Sequence, residues 1–340
     1  MTTGEFLLGL RRRDIEVWLD GDRVRCTAPT GTLTVDLRAE LARRRPEIEV
    51  ALRAARAAAG GALVPIERSG SRIPFYAVPG HNGDVFCFVR LARCLGRDYP
   101  FYGLEPPGLR DDTPPLRRIE DLAAYFVEQL TKQHSGPYQI GGYCLGGLTA
   151  FEMARQLRAR GHEVRALVLF GTTSPAGLRR FNRVRGTLTY WLVNRIRGAR
   201  TFMAATPQER VRYLREKIRK AGRLIGGPRL EPLEASAARR RRVQAATLAA
   251  AYRYRPQPYD GSITMFAANE DATRSFDRPL EWTSHARGGL DLFCGPADCD
   301  GDSMLKEPSA QVFAEQLARR IDAVSADQAA GASGCRPRHG

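Results

Sequence analysis

Residues 138–160 read YQIGGYCLGGLTAFEMARQLRAR, and this stretch decides the fold. Tyr138 to Gly142 has the character of a short buried strand, and a helix is expected from Gly147 to Arg160. Between them lies Gly142-Tyr143-Cys144-Leu145-Gly146-Gly147. A reactive side chain held between a strand and a helix, with glycine two residues before and two after, is the pattern of a nucleophile elbow. The glycines are needed because larger side chains would collide inside so sharp a turn. Cys144 therefore stands at a helix N-terminus, where the backbone dipole favours a thiolate. The N–H of Leu145 is expected to point where an oxyanion would form. Gly142, Tyr143 and Gly146 complete the elbow.

Outward from the elbow, strands and helices alternate. Ile73 to Val78 is an apolar run ending at Pro79-Gly80, Phe101 to Leu104 is a short strand, and Leu122 to Leu130 is an amphipathic helix. Val164 to Phe170, Ile263 to Ala267 and Leu290 to Phe293 are further strands, and Ser309 to Ile321 is a closing helix. This order predicts an α/β fold with a doubly wound, mostly parallel sheet. Residues 175–256 break the rhythm with arginine-rich helices and are expected to form a lid over a domain spanning 72–322. Residues 323–340 are small and polar, and a disordered tail is expected there.

Residues 1–57 form a separate α+β unit in the order helix, hairpin, helix, helix. Ile15 to Leu19 alternates as a strand should, and Val24 to Ala28 returns after a turn at Gly21-Asp22. Thr34 is placed to cap the next helix, and Pro46 sits at the first turn of the last one. Residues 58–71, rich in alanine and glycine, are expected to be a linker.

The bulk properties narrow the function. At 340 residues and 43% hydrophobic content the chain can build a sizeable core, so global disorder is excluded. Met1 to Leu10 carries no signal-peptide pattern and no stretch is apolar for long enough to span a bilayer, so a cytoplasmic protein with no membrane contact is expected. The seven cysteines form no CxxC pair, and no metal site is expected. The net charge of +16 is concentrated in arginine runs at 11–13, 43–45 and 239–242. No aromatic residues interleave with those runs and no nucleic-acid motif accompanies them, so nucleic acid is not the expected partner.

Two resemblances sharpen the reading. LLGLRRRDIEVWLDGDRVR at 7–25, APTGTLTVDLRAEL at 28–41 and RRPEIEVAL at 44–52 resemble the tubulysin-type N-terminal docking domains of nonribosomal peptide synthetases. That resemblance implies that the unit accepts the C-terminal tail of a partner synthetase by strand addition to the hairpin edge. The larger domain resembles the thioesterase domains of nonribosomal peptide and polyketide synthases, which are α/β-hydrolases. The matching stretches are FYAVPGHNGDVFCFVRLARCLGRDYPFYGLEPPGL at 75–109, GPYQIGGYCLGGLTAFEMARQLRARGHEVRALVLF at 136–170, YRPQPYDGSITMFAANED at 254–271, Trp282 and SMLKEP at 303–308. The resemblance implies an acyl or peptidyl substrate presented as a phosphopantetheine thioester by a carrier protein, with no cofactor bound to the enzyme itself.

The chain departs from the family at all three triad positions. Cys144 replaces the usual serine, Gly171 stands where the aspartate follows the strand after the elbow, and Gly301 stands at the histidine before Ser303-Met304-Leu305. Of the five histidines, His81 is the best replacement base, because the Gly80-His81-Asn82-Gly83 loop should face the elbow and supply oxyanion donors from Gly80 and His81. His339 is in the tail, His162 and His134 are expected away from the site, and His285 lies near Trp282. Assisting carboxylates are sought at Asp271 and at Asp298, Asp300 and Asp302, each of which taken alone reads first as a turn residue.

These changes fit one another. A serine needs a base, whereas a thiolate attacks a thioester in a near-thermoneutral exchange with a thiolate leaving group. Water must lose a proton as it attacks, so losing the histidine slows hydrolysis more than exchange. The expected function is capture of an acyl group on Cys144 and its transfer to a second carrier thiol or an amine. Two alternatives stay open: a hydrolytic or cyclising releasing thioesterase with a non-standard base, and a docking scaffold that has lost its chemistry.

Overall fold

The computed structural model describes residues 3–12, 15–20, 23–28, 32–58, 61–179, 235–269 and 282–333. The N-terminal elements are α1 (Thr3–Arg12), a hairpin of β1 (Glu16–Asp20) and β2 (Arg23–Thr27), α2 (Val35–Arg43) and α3 (Arg45–Ala58). The hairpin is antiparallel, pairing Glu16 with Thr27 and Asp20 with Arg23. Thr34 caps α2, its hydroxyl accepting from the Leu37 N–H at 3.2 Å. Phe6, Leu10, Ile15 and Ile48 are buried together, so this unit has a small core of its own.

The main sheet has seven strands. They are β3 (Leu63–Glu67), β4 (Phe75–Val78), β5 (Phe101–Leu104), β6 (Tyr138–Tyr143), β7 (Val164–Phe170), β8 (Ile263–Ala267) and β9 (Leu290–Cys294), in the order β3-β5-β4-β6-β7-β8-β9. Only β3 runs antiparallel, against β5, and every other pair is parallel. β3 falls inside the stretch expected to be a linker, and that expectation is corrected. Pro65 interrupts it, and the register shifts between Pro65 and Glu67, as proline requires of an edge strand.

A parallel sheet is covered on both faces, and strict alternation along the strands divides its core in two. Tyr76, Val78, Leu167 and Leu169 pack with α5 (Ile119–Thr131) and α6 (Gly146–Ala159). Phe75, Ala77, Ala166, Val168 and Phe170 pack with α4 (Val89–Leu95) and with Phe313, Ala314, Leu317 and Ile321 of the last helix.

Of the expected lid, residues 180–234 lie outside the described residues. Its two flanks are helical, at 175–179 and at α7 (Ala235–Arg253). Tyr254, just after α7, donates to the buried Glu152 of α6 at 2.9 Å. The closing helix α8 runs Ser309–Ser333, so residues 323–333 are helical rather than a disordered tail. Alanine dominates that extension, and alanine is the strongest helix former. Among the described residues, no helix is long and apolar enough to cross a membrane.

Candidate active site

β6 lies at the centre of the sheet, and its register fixes what meets at its C-terminal end. Val78 of β4 pairs with Gly142, and Phe170 of β7 pairs with Tyr143. Pro79-Gly80 and Gly171 therefore leave the sheet on either side of Cys144. In an open α/β sheet this carboxyl edge is where ligands bind.

The turn is as tight as the glycine spacing implies. A Cβ on Gly142 would lie 2.5 Å from the Gly146 carbonyl oxygen, and one on Gly146 would lie 2.1 Å from that of Pro79. Cys144 has φ 52°, the only positive φ at a non-glycine among the described residues. Such strain persists only where the surroundings impose it. Here the Cys144 N–H is held by the Phe170 carbonyl at 2.8 Å, and the next residues enter α6 directly.

The thiol environment differs from the sequence expectation. Burial raises the Cys144 pKa, a backbone hydrogen bond with Leu145 opposes that, and the charge of Asp302 adds to the rise. The helix terminus does act on the sulfur, but desolvation outweighs it. The pKa of Cys144 is thus raised rather than lowered as expected.

His81 occupies the turn after β4 and is half buried. Among the described residues it makes no hydrogen bond to Cys144. Gly80 packs close, a Cβ there lying 3.7 Å from that of Cys144, and its carbonyl accepts from the Gly83 N–H at 2.9 Å. A residue that sequence reading missed sits behind this loop. Cys87 is partly buried, and its pKa is driven well up by desolvation and by Asp84. A hydrogen bond with the Gly80 backbone pulls the other way. Nothing in the spacing of the cysteines marks Cys87 out.

The family's acid and base positions are open. Gly171 has φ 55°, and a Cβ there would meet only the Met304 sulfur at 3.0 Å. A Cβ on Gly301 would meet nothing within 4 Å. The Tyr143 hydroxyl donates to the Gly301 carbonyl and ties this loop to the elbow. Asp300 is absorbed in the loop: its carboxylate accepts from the Asp302 N–H at 3.1 Å, the Ser303 N–H at 2.8 Å and the Ser303 hydroxyl at 2.6 Å. Those bonds hold its pKa low, the Ser303 hydroxyl most of all. Asp300 is thus engaged in its own turn. Asp271 lies outside the described residues.

The other histidines are elsewhere. His134 packs against Tyr76 and Tyr102, and His162 against Tyr138, at the opposite end of the strands from Cys144. His285 packs against Phe151 and Trp282, where burial lowers its pKa. The Trp282 indole donates to the Thr172 carbonyl at 2.8 Å, securing the chain beyond β7.

Comparison with known proteins agrees with this architecture. Residues 74–301 match the thioesterase domain family, and residues 4–49 match the TubC N-terminal docking domain. The chain is 36% identical over 108 residues to the polyketide synthase PksR of Bacillus subtilis, covering 32% of this chain and 4% of that one. It is 28% identical over 258 residues to the malpinin synthetase of Mortierella alpina, covering 75% of this chain and 3% of that one. The chain thus spans only a few per cent of the length of these relatives. Among solved structures, the Vlm2 thioesterase domain bound with a dodecadepsipeptide shares the fold at TM-score 0.53 and 23% identity, over 76% of this chain and 96% of that one. A four-domain nonribosomal peptide synthetase bound to AMP and glycine does so at TM-score 0.55 and 22% identity, over 76% of this chain and 20% of that one. The chain belongs to the thioesterase domain family.

Proposed function

We propose, from that membership, that Cys144 takes an acyl or peptidyl group from a carrier-protein phosphopantetheine thioester and passes it to an acceptor other than water. The observation that carries this reading is a strained elbow bearing a thiol, φ 52° at Cys144, beside an open glycine at the histidine position, Gly301. In the first step the Cys144 sulfur attacks the thioester carbonyl, the bond to the pantetheine sulfur breaks, and an acyl-Cys144 thioester forms. The Cys144 proton ends on the released pantetheine thiol, so the step consumes no net acid or base. The N–H groups of Leu145, Gly80 and His81 would supply the oxyanion hole.

A raised thiol pKa makes the first step slower at neutral pH, but it handicaps forward and reverse exchange equally. Hydrolysis meets a larger obstacle. A positioned base contributes about 10²–10⁴-fold to attack by water, and neither Gly171 nor Gly301 can act as one. The acyl-enzyme therefore waits for an acceptor.

Residues 4–49 match a docking domain, which supports recruitment to a partner synthetase through that partner's C-terminal tail. The net charge of +16 suits carrier domains of acidic surface. We assign the docking unit to residues 1–57, the catalytic domain to residues 72–322 joined by the edge strand β3, and the cytoplasm as the compartment.

The test is the fate of the acyl group. An acyl-loaded carrier is mixed with wild type or Cys144→Ala in the presence of an amine or a second carrier, and the products are separated by mass. Transfer that outpaces release of free acid, and that is lost in Cys144→Ala, is the expected result. Transfer undiminished in the variant would rule out Cys144 as nucleophile.

A further inference from the structure

Asp300 and Asp302 lie one residue either side of the open Gly301, yet only one carboxylate is spent on the loop. Asp300 accepts three hydrogen bonds from Asp302 and Ser303 and shapes the turn. Asp302 is exposed, and its carboxylate makes no hydrogen bond or ion pair among the described residues. The loop is fixed against the elbow at two points, by Tyr143 to the Gly301 carbonyl and by the close approach of Met304 to Gly171. An unpaired carboxylate is thereby held at the rim of the site, and its charge is felt at the Cys144 sulfur. The space next to it, where Gly301 carries no side chain, is open.

We infer that Asp302 selects the acceptor of the acyl-enzyme, receiving the ammonium group of a primary amine in the space that Gly301 leaves free. This rests on the acyl-Cys144 reading above and adds the acceptor class to it. A carboxylate at the rim attracts a cation, is indifferent to neutral water and repels an arriving thiolate. In the step, the ammonium held by Asp302 first gives one proton to solvent. The free amine attacks the thioester carbonyl, the bond to the Cys144 sulfur breaks and the amide bond forms. A second nitrogen proton restores the Cys144 thiol. The balance is acyl-S-enzyme plus ammonium giving amide, enzyme thiol and one proton.

The experiment compares full-length wild type with Asp302→Asn in two arms. In the first, Cys144 of the resting enzyme is alkylated with cationic 2-bromoethylammonium or neutral iodoacetamide, and the rate ratio is read by intact mass. The ratio cancels any change in thiolate fraction. It is expected to fall on the order of fivefold in Asp302→Asn, the scale of one partly exposed charge pair, and to be largely kept in Asp302→Glu. In the second arm, the acyl-enzyme is discharged with n-butylamine or with uncharged hydroxylamine. Only the butylamine rate should fall in Asp302→Asn. An unchanged alkylation ratio, or equal loss with both nucleophiles, would overturn the role of Asp302. If no acyl-enzyme forms in wild type but the ratio falls as expected, the acyl-transfer reading fails while cation selection by Asp302 stands.

Discussion

Restoring the missing base should turn the acyl-enzyme over to water. The perturbation is Gly171→Asp with Gly301→His, the two residues the thioesterase family resemblance places in the triad. The structure has room for both. A Cβ at Gly301 meets nothing within 4 Å, and the bond from Tyr143 goes to the Gly301 backbone, so it survives. At Gly171 the strain is modest: φ is 55°, a region where aspartate is tolerated better than most residues, and the one neighbour is the flexible Met304 side chain at 3.0 Å. A left-handed conformation costs roughly 1–2 kcal/mol, which corresponds to a fall in Tm of about 2–8 °C for a domain of this size. Against that small loss, a positioned imidazole should speed hydrolysis of acyl-Cys144 by about 10²–10⁴-fold. The assay is single-turnover: the enzyme is loaded with one acyl group, and decay of the adduct is followed by intact mass at neutral pH. Gly301→His alone, without a carboxylate to orient the ring, should reach only the lower end of that range. An unchanged adduct lifetime in a double variant that folds with the expected Tm would refute the argument that the missing base is what holds water back.

Further outcomes follow from the same geometry. Because burial raises the Cys144 pKa, its thiolate fraction should still be climbing about tenfold per pH unit from pH 7 to 8.5; iodoacetamide labelling rates should rise in step, and a plateau below pH 8 would contradict the raised pKa. Gly142→Ala would bring a Cβ within 2.5 Å of the Gly146 carbonyl, so it should cost more than about 2 kcal/mol by chemical denaturation. Tyr254→Phe removes a 2.9 Å bond to Glu152 and should cost about 1–3 kcal/mol. Burial raises the Glu152 pKa, but bonds from Arg155, Gln156 and Tyr254 more than offset it and leave the pKa lowered. Its contribution is therefore present above the unfolded carboxylate pKa and lost as pH falls through the lower folded value. The gap between wild type and Tyr254→Phe should narrow in acid.

The elbow was legible from sequence because its constraint is local. Backbone atoms 2.1–2.6 Å from the missing Cβ atoms leave glycine as the only choice at Gly142 and Gly146. The central strands were legible for a related reason: short apolar runs buried on both faces keep one composition from end to end. β3 was hidden because its proline and flanking alanines and glycines match a linker, and only pairing with β5 makes it a strand. The helical extension of α8 was hidden by the same small residues. The state of Cys144 could not be read at all. Its dipole is a property of the local sequence, but its burial, and the approach of Asp302 from 158 residues away, are products of the fold.

The most direct measurement is intact-protein mass spectrometry of wild type and Cys144→Ala after mixing with an acyl-loaded carrier, followed by peptide mapping of the adduct. The account predicts a single acyl addition on the peptide containing Cys144, persisting for minutes without an acceptor and absent from the variant. An adduct on another residue, or steady loss of the acyl group to water with no adduct, would contradict it.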